Sequence, residues 1–570
     1  MCKKFSPSLF PLLIIVGFSV LLLWAQIATQ ATIVGSDAIF HYNRFYDTAM
    51  QLKTGEFDYF ISTFGYQQSG RIVNALYGPF FAYLQGGLLL ISGTWFKYQL
   101  LSRLLLSLIA GSGMYRLLRQ AKVEQWLSLV LALFFLTTFA VQYWSIRQGF
   151  SSWGVTFFPW CLLPAIAAIQ TKQVKPLTLA VAVALMLQIH TLSTLLLVLT
   201  FIPFFAHAFL TSPRKWFFLK QMMIAIGLCL LLMANVWLPL IILGQANELI
   251  QPFINKRLPE STIDRSSIVL LFQPVGLAYL LMAQLPLTVL AIKKKASPLY
   301  HLSLLAFLIM FGLSSSLFPW DSLSGKNIKL VELIQFPFRF FLIATPLFLL
   351  VFGQGLTILN RWKKTIIGFI ACLTLAGAYQ NIQEEYDIIA SQYETDTPIQ
   401  LRKHTKLLGS ADEVRQSLHS ADLERFLTLA VKSTPDYLPL YHQTKENRYK
   451  LYEKLVIDQH HLVEKTKQNG QLLLSWTSDA EKTIHLPVII YSGTQTKLNG
   501  QALHLTPEQL SPIGTPTVMS QVGENNLVLT YQPNSSLYPA IWGSLIGWFG
   551  LVCSAILMKM KNKPQTKTFF

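Results

Sequence analysis

Long apolar runs separated by short basic loops set the pattern of this chain. Ser8 to Ala28 is the first run, and about 20 residues at roughly 1.5 Å rise cover a bilayer's hydrocarbon core. Lys3 and Lys4 place its start in the cytoplasm. Its apolar core is too long for a cleaved signal, so it reads as a retained anchor. Further spans are predicted at about 98 to 118, 125 to 144, 152 to 170, 176 to 190, 191 to 210, 217 to 243, 268 to 292, 298 to 318, 339 to 359 and 364 to 380. A last span, Tyr538 to Met558, runs into Lys559, Lys561, Lys563 and Lys567. The expected fold class is an α-helical polytopic membrane protein of about twelve spans with both termini cytoplasmic.

Asn74 to Gly93 is ambiguous, because it is nearly long enough to span but Pro79, Gly86 and Gly87 interrupt it. If it crossed, Arg116, Arg119 and Lys122 would fall in a short outer loop, against the positive-inside rule. We therefore read it as re-entrant or interfacial, buried by protein. With that choice Lys172 and Lys175, then Arg214, Lys215 and Lys220, then Lys293 to Lys295, then Arg361, Lys363 and Lys364 all land inside. The first outer loop, 29–97, is then unusually large and is broken by Gly55, Gly65 and Gly70.

Between the last two spans lies a polar insert, 381–537, which the same count places outside. Its first half, 381–465, holds half of the acid in the chain and reads as helical and irregular. Its second half, 466–537, reads as a small β-domain, because QLLLSW, TIHLPVIIY, TKLNGQALHL and NNLVLTYQ are β-rich and Asn499-Gly500 is a hairpin signal. The division is thus 1–380, the two halves of the insert, and 538–570 for the last span and basic tail.

Composition sharpens this picture. Of 570 residues 52% are hydrophobic and 13% charged, which excludes a soluble globular protein. The net charge of +18 comes from basic residues clustered in short loops, so it is topology and not a nucleic-acid footprint. Of the five cysteines, four lie in apolar spans, so neither a disulfide framework nor a cysteine metal site is expected. There is no phosphate-binding glycine loop, dinucleotide fingerprint, HExxH or Gly-x-Ser-x-Gly. No nucleotide cofactor is expected.

The first polar chemistry appears in IVGSDAIFHYNRFYDTAMQLK, residues 33–53. If Ser36 or Asp37 caps a helix, Asp37, His41 and Arg44 fall at i, i+4 and i+7 on one face. An acid with an imidazole and a guanidinium beside it suits group transfer onto a hydroxyl at a membrane surface. The plain alternative is a helix cap. In the same loop Glu56, Asp58, Tyr66, Gln67, Arg71 and Tyr77 either line a pocket, with Arg71 forked onto a phosphate, or form a solvated, interfacial loop. Arg147 either snorkels or faces a polar cavity, and His190 in LQIHTLS either bonds a helix end or works at a site. Gln335 and Arg339, with Lys326 and Lys329 nearby, either hold a lipid-linked phosphate or belong to an aromatic belt.

Taken together, GSDAIFHYNRFYD, YGPFFAYL, QIHTLS and IQFPFRFF give the membrane part, roughly 8 to 380, a layout that resembles the bacterial integral-membrane family labelled "6-pyruvoyl-tetrahydropterin synthase-related". That family is similar to the GT-C superfamily of membrane glycosyltransferases, and nothing here resembles the zinc-histidine site of pterin chemistry. The resemblance implies a polyprenyl-phosphate-linked sugar as donor, a cell-surface glycopolymer or lipid as acceptor, and a catalytic acid in the first outer loop, which maps to Asp37. Asp37 would act as general base or orient the acceptor, with His41 beside it, while Arg44, Arg71 or Arg339 neutralises the leaving phosphate. A second acid is common in such enzymes; here Glu56 and Asp58 are the candidates, and dependence on a divalent cation stays open. Two rival readings stand: a lipid-linked glycan transporter, and a non-catalytic membrane protein with a degenerate site.

Overall fold

The computed structural model describes residues 9–265, 272–326, 328–359 and 363–561. Lys3, Lys4, Arg361, Lys563 and Lys567, on which part of the orientation reading rests, lie outside them. The chain opens with α1 (Leu9–Leu21), α2 (Trp24–Thr29), α3 (Ala38–Thr54), α4 (Pro79–Ser92), α5 (Trp95–Gln120), α6 (Gln125–Thr137), α7 (Phe139–Arg147) and α8 (Ser151–Thr171). It continues through α9 (Pro176–Ile189), α10 (Thr191–Thr211), α11 (Lys215–Leu232), α12 (Ala234–Ala246), α13 (Gly276–Lys293) and α14 (Pro298–Ser314). The short α15 (Trp320–Leu323) and α16 (Lys329–Ile334) lead into α17 (Phe338–Thr357) and α18 (Lys363–Ile388). Proline sits in the first turn of α4, α9 and α14, where its missing N–H costs nothing.

Among the described residues eight helices are long and apolar enough to cross a bilayer, so this is a multi-pass membrane protein. The expected number was about twelve. Five expected spans are shorter or divided: 8 to 28 becomes α1 and α2, 125 to 144 divides at Thr138 into α6 and α7, 176 to 190 and 298 to 318 become short helices, and 217 to 243 breaks at Met233 into α11 and α12. α5 is 26 residues long, but it carries buried Gln99, Ser102, Arg103 and Ser107 among its apolar positions. α4, the ambiguous segment, has 14 residues, or about 21 Å at helical rise; it packs along α3. α17 is apolar all round and forms the centre of the bundle, touching α5, α6, α8, α13 and α14.

α18 does not stop at 380. It runs to Ile388 and a wider turn continues it to Tyr393, so the insert begins later than the apolar pattern suggested. Inside the bundle Glu385 of α18 forms a bidentate ion pair with Arg103 of α5, both side chains only 4% exposed. Gln26 Oε1 and the Leu22 carbonyl take further donors of the same guanidinium.

The insert's first half contains β1 (Thr405–Leu407), α19 (Ala411–His419), α20 (Leu423–Leu429), β2 (Ala430–Lys432) and α21 (Arg448–Tyr452). β1 and β2 pair antiparallel, a small sheet in a region expected to hold none. The second half holds β3 (Glu464–Gln468), β4 (Gln471–Ser478), β5 (Lys482–His485), β6 (Thr494–Leu498), β7 (Gln501–Leu503), β8 (Thr517–Ser520) and β9 (Gly523–Tyr531), followed by α22 (Leu537–Lys561). Five strands form an antiparallel sheet in the order β3-β4-β9-β6-β7, and β5 pairs with β8. Leu472 and Leu474 face Leu529 and Leu527 across it, the alternation of a half-buried sheet. Asn499 and Gly500 both have positive φ, at 50° and 82°, in the two-residue turn between β6 and β7.

The insert shares a core with the membrane part. Phe60, Ile61, Ile72 and Leu76 of the first loop, Leu243 and Ile250, and Leu438, Ile489, Tyr491 and Ile513 of the insert form one buried cluster. Backbone pairing reinforces it: Ile250 and Leu438 bond at 2.8 Å, Tyr437 to Ile250 at 2.8 Å, and Ile489 donates to the Ser69 carbonyl at 2.8 Å. Only the first part of TIHLPVIIY is a strand; its end is held to the first loop instead.

Candidate functional site

Asp37 is the N-cap residue of α3, but its side chain makes no capping bond. Its carboxylate is 44% exposed and therefore free for other work. The backbone that carries it is fixed from two sides. Gln99 accepts from the Ile33 N–H at 3.1 Å and donates to its carbonyl at 2.9 Å. Gln148, at the end of α7, accepts from Gly35 N–H at 2.6 Å and donates to the Ile33 carbonyl at 3.0 Å, and Asp37 N–H donates to the Arg147 carbonyl at 3.2 Å. Gly35 packs so closely on Arg147 that a Cβ would overlap its Cα. Only glycine fits.

Lys432, the last residue of β2, lies beside the acid. Its Nζ is 3.6 Å from Asp37 Oδ1 and donates to the Ser36 carbonyl, with the side chain only 15% exposed. Asp436 follows on the same segment, within electrostatic range of both Asp37 and Lys432. Burial raises its carboxyl above the ordinary range. Two acids and an ammonium thus lie within electrostatic range of one another where the first loop meets the insert.

Arg339, in the first turn of α17, lies within electrostatic range of Asp37. Its Nη1 donates to Gln335 Oε1 at 2.8 Å and to the Ile334 carbonyl at 3.3 Å, and the guanidinium stacks on Phe336 at 5.0 Å. Its Nε is buried without a partner among the described residues. Asp37 and Arg339 both lie within electrostatic range of the Tyr77 and Tyr143 hydroxyls. Gln335 is held by donation to the Phe253 carbonyl at 2.6 Å, so it aims Arg339. His190 caps α10, its Nδ1 bonded to Ser193 Oγ at 2.8 Å, and its ring lies 6.2 Å from that of Tyr77. His190 also lies within electrostatic range of Arg339, so the N-terminal ends of α10 and α17, each favourable to negative charge, lie near each other.

Other expected site residues are committed elsewhere. Arg44 is fully buried: it donates to Asn74 Oδ1 at 3.1 Å, to His41 Nδ1 at 3.3 Å and to the Tyr77 carbonyl, and lies 4.4 Å from the Tyr77 ring. His41 is stacked at 4.5 Å on Phe150. Burial and then Arg44 lower its basicity well below the usual range, so it is a neutral acceptor that orients Arg44 and not a solvent-facing base. Arg71 is equally buried and donates to the carbonyls of Thr434, at 2.7 Å, and Asp436, at 2.5 Å. It clamps the insert and, being fully buried, presents no exposed face to a phosphate. Tyr66 bonds the Phe40 carbonyl at 2.9 Å and covers Arg71.

The two expected second acids also have structural partners. Glu56 accepts from Asn469 and Gly470 N–H at 3.2 and 2.8 Å, at the turn between β3 and β4. Asp58 accepts from Phe60 and Ile61 N–H at 3.0 Å and pairs with Lys467 at 3.2 Å. Arg147 contributes its backbone carbonyl to Asp37, as above. Among the described residues no three His, Cys, Asp or Glu side chains cluster at metal-binding distance. Lys432, Asp436 and Tyr143 were not foreseen, and Lys432 lies 396 positions after Ser36, with no motif around it.

No protein-family profile matches the sequence. No curated protein matches it. The structure is similar to that of an oligosaccharyltransferase from Archaeoglobus fulgidus, solved with zinc and sulfate, at 14% identity and a TM-score of 0.38, over 69% of this chain and 54% of that one. It is similar to the same protein tethered to an acceptor peptide containing the NVT sequon, at 14% identity and a TM-score of 0.37, over 70% and 56%. The chain spans about half the length of these solved structures.

Proposed function

We propose that this is a membrane glycosyltransferase that moves a sugar from a polyprenyl-phosphate donor to an acceptor outside the cell. The observation that carries the reading is the exposed, uncapped Asp37 carboxylate, placed beside Lys432 and within electrostatic range of Arg339. An acceptor hydroxyl bonded to Asp37 attacks the anomeric carbon while the carboxylate takes its proton. The bond from that carbon to the phosphate oxygen breaks, and the charge left on the lipid phosphate is met by Arg339, with Lys432 beside it and the N-termini of α10 and α17 adding to the field. A single displacement of this kind inverts the anomeric centre. A lipid phosphate is already a good leaving group, so the base is asked for about 10²- to 10⁴-fold of the rate.

In this reading Asp37, Arg339, Lys432 and Asp436 face the outside at headgroup level, both termini are cytoplasmic, and the insert closes the hollow from above. Arg44 and Arg71 hold its walls, and His190 and Tyr77 line it. The test is incorporation of sugar into surface polymers by cells whose sole copy carries Asp37→Asn. Loss of that sugar with the protein present at normal levels supports the reading; unchanged incorporation removes it.

A further inference from the structure

Two short stretches of the insert, Arg402-Lys403-His404 and Arg448-Tyr449-Lys450, each set a ring among cations. The fold brings them together beside Lys432. Ser433, the residue after β2, donates its N–H to the His404 carbonyl at 2.9 Å and its hydroxyl to the Tyr449 carbonyl. The His404 and Tyr449 rings stack at 4.2 Å with 15° between their planes, both half-buried. The pairing of β1 with β2 sets Thr405 opposite Lys432, so the first stretch ends where the Lys432 side chain leaves for Asp37.

Charge in this patch is unbalanced. Arg402, Lys403 and Lys450 are exposed and Arg448 is half-buried, and among the described residues none of the four takes part in an ion pair. The nearby acids are committed: Glu453 pairs with Lys406, Asp458 lies 3.9 Å from the same ammonium, and Asp37 faces Lys432. Exposed Glu446 offsets one of these charges at most. Lys403, Lys432 and Lys450 all lie within electrostatic range of His404, whose basicity is lowered by burial and then by Lys403, against an opposing pull from Glu453. The ring is therefore neutral and stacks as a flat plate. Cations gathered without acids repel one another, a cost that a bound anion removes. His404 is also held at φ 69°, in the left-handed region that a Cβ disfavours.

We infer that the rim formed by Lys403, His404, Tyr449 and Lys450 binds an anionic surface glycan, with its phosphate or carboxylate groups against the cations and its sugar-ring faces on the stacked pair. The inference deepens the transferase reading and, for its biological meaning, rests on it: the bound glycan is the part of the acceptor that does not react. The rim and the acid are joined through β2, where Lys432 reaches Asp37 and the next residue, Ser433, ties down both rings. A glycan suits the rim better than a bilayer does. Apart from Leu401, the exposed neighbours Lys445, Glu446 and Asn447 are polar and give a membrane little to take up.

The experiment is microscale thermophoresis on the full chain in phosphatidylcholine nanodiscs, without donor, with polygalacturonate, poly(glycerol phosphate) and neutral dextran as probes. Binding to at least one polyanion and none to dextran is expected at about 50 mM salt, weakening as salt rises to about 0.5 M. Lys403→Gln combined with Lys450→Gln should weaken it about tenfold, the effect of two exposed charge contacts. Lys482→Gln combined with Lys497→Gln, which removes the same charge from exposed positions of the β-domain, should bind as the wild type does. Asp37→Asn should retain binding, which separates this inference from the catalytic one. No binding to either polyanion, equal binding to dextran, or a first double variant no weaker than the second overturns it. Preference for phosphatidylglycerol vesicles over both polyanions also overturns it, by making the rim a membrane contact.

Discussion

Lys432 Nζ stands 3.6 Å from Asp37 Oδ1 with its own side chain only 15% exposed. The insert thus supplies the cation nearest the acid on which the proposed chemistry depends. Lys432→Met should lower sugar transfer about 10²-fold, the scale found for removal of one preorganised charge-stabilising group. Lys432→Arg should retain most of the activity. Turnover of a polyprenyl-phosphate sugar by the purified variants checks this, and equal losses in both would point to packing and not charge.

Gly35→Ala should be disproportionately harmful for one added methyl group. A Cβ there overlaps the Arg147 backbone, so the 33–37 segment must move. Overpacking of this kind costs about 1–3 kcal/mol, and a displacement of about 1 Å at a catalytic group costs about 10²-fold in rate. The thermal midpoint and transfer rate should fall together.

The Arg103–Glu385 pair predicts that double substitution is milder than single substitution. Arg103→Ala leaves a buried carboxylate without its partner and should cost about 3–5 kcal/mol, whereas changing both residues to methionine should recover most of the loss. A double-mutant cycle on thermal midpoints in detergent measures the coupling.

Lys465 links stability to pH. Burial pushes its ammonium down to about 7, from an ordinary value of 10.5. Between those values the folded chain has released the proton and the unfolded chain still holds it, so stability rises with pH across that window. It is lost as pH falls through about 7. The thermal midpoint of the wild type should rise from pH 7 to 9 relative to that of Lys465→Met, and parallel curves would show that the group is not buried as described.

Part of this architecture was legible in the chain. The apolar runs announced a helical membrane protein, and the spacing of Asp37, His41 and Arg44 fits the helix that forms over Ala38–Thr54. The breaks at Met233 and near Leu22 were not legible, because apolar residues continue across them and periodicity carries no mark of a kink. Arg44 and Arg71 were misread for a physical reason: a guanidinium forks onto a buried carbonyl pair with the same geometry that it offers a phosphate. Lys432 and Asp436 were invisible, since only the docking of the insert brings them to Asp37.

The most direct measurement is release of polyprenyl phosphate from a polyprenyl-phosphate sugar by the purified protein in nanodiscs supplied with a cell-surface glycan extract as acceptor, comparing wild type with Asp37→Asn. The account predicts release by the wild type and a fall of about 10²- to 10⁴-fold in the variant, with the thermal midpoint unchanged. No release by the wild type across the donor sugars tried, or equal release by both proteins, would contradict it.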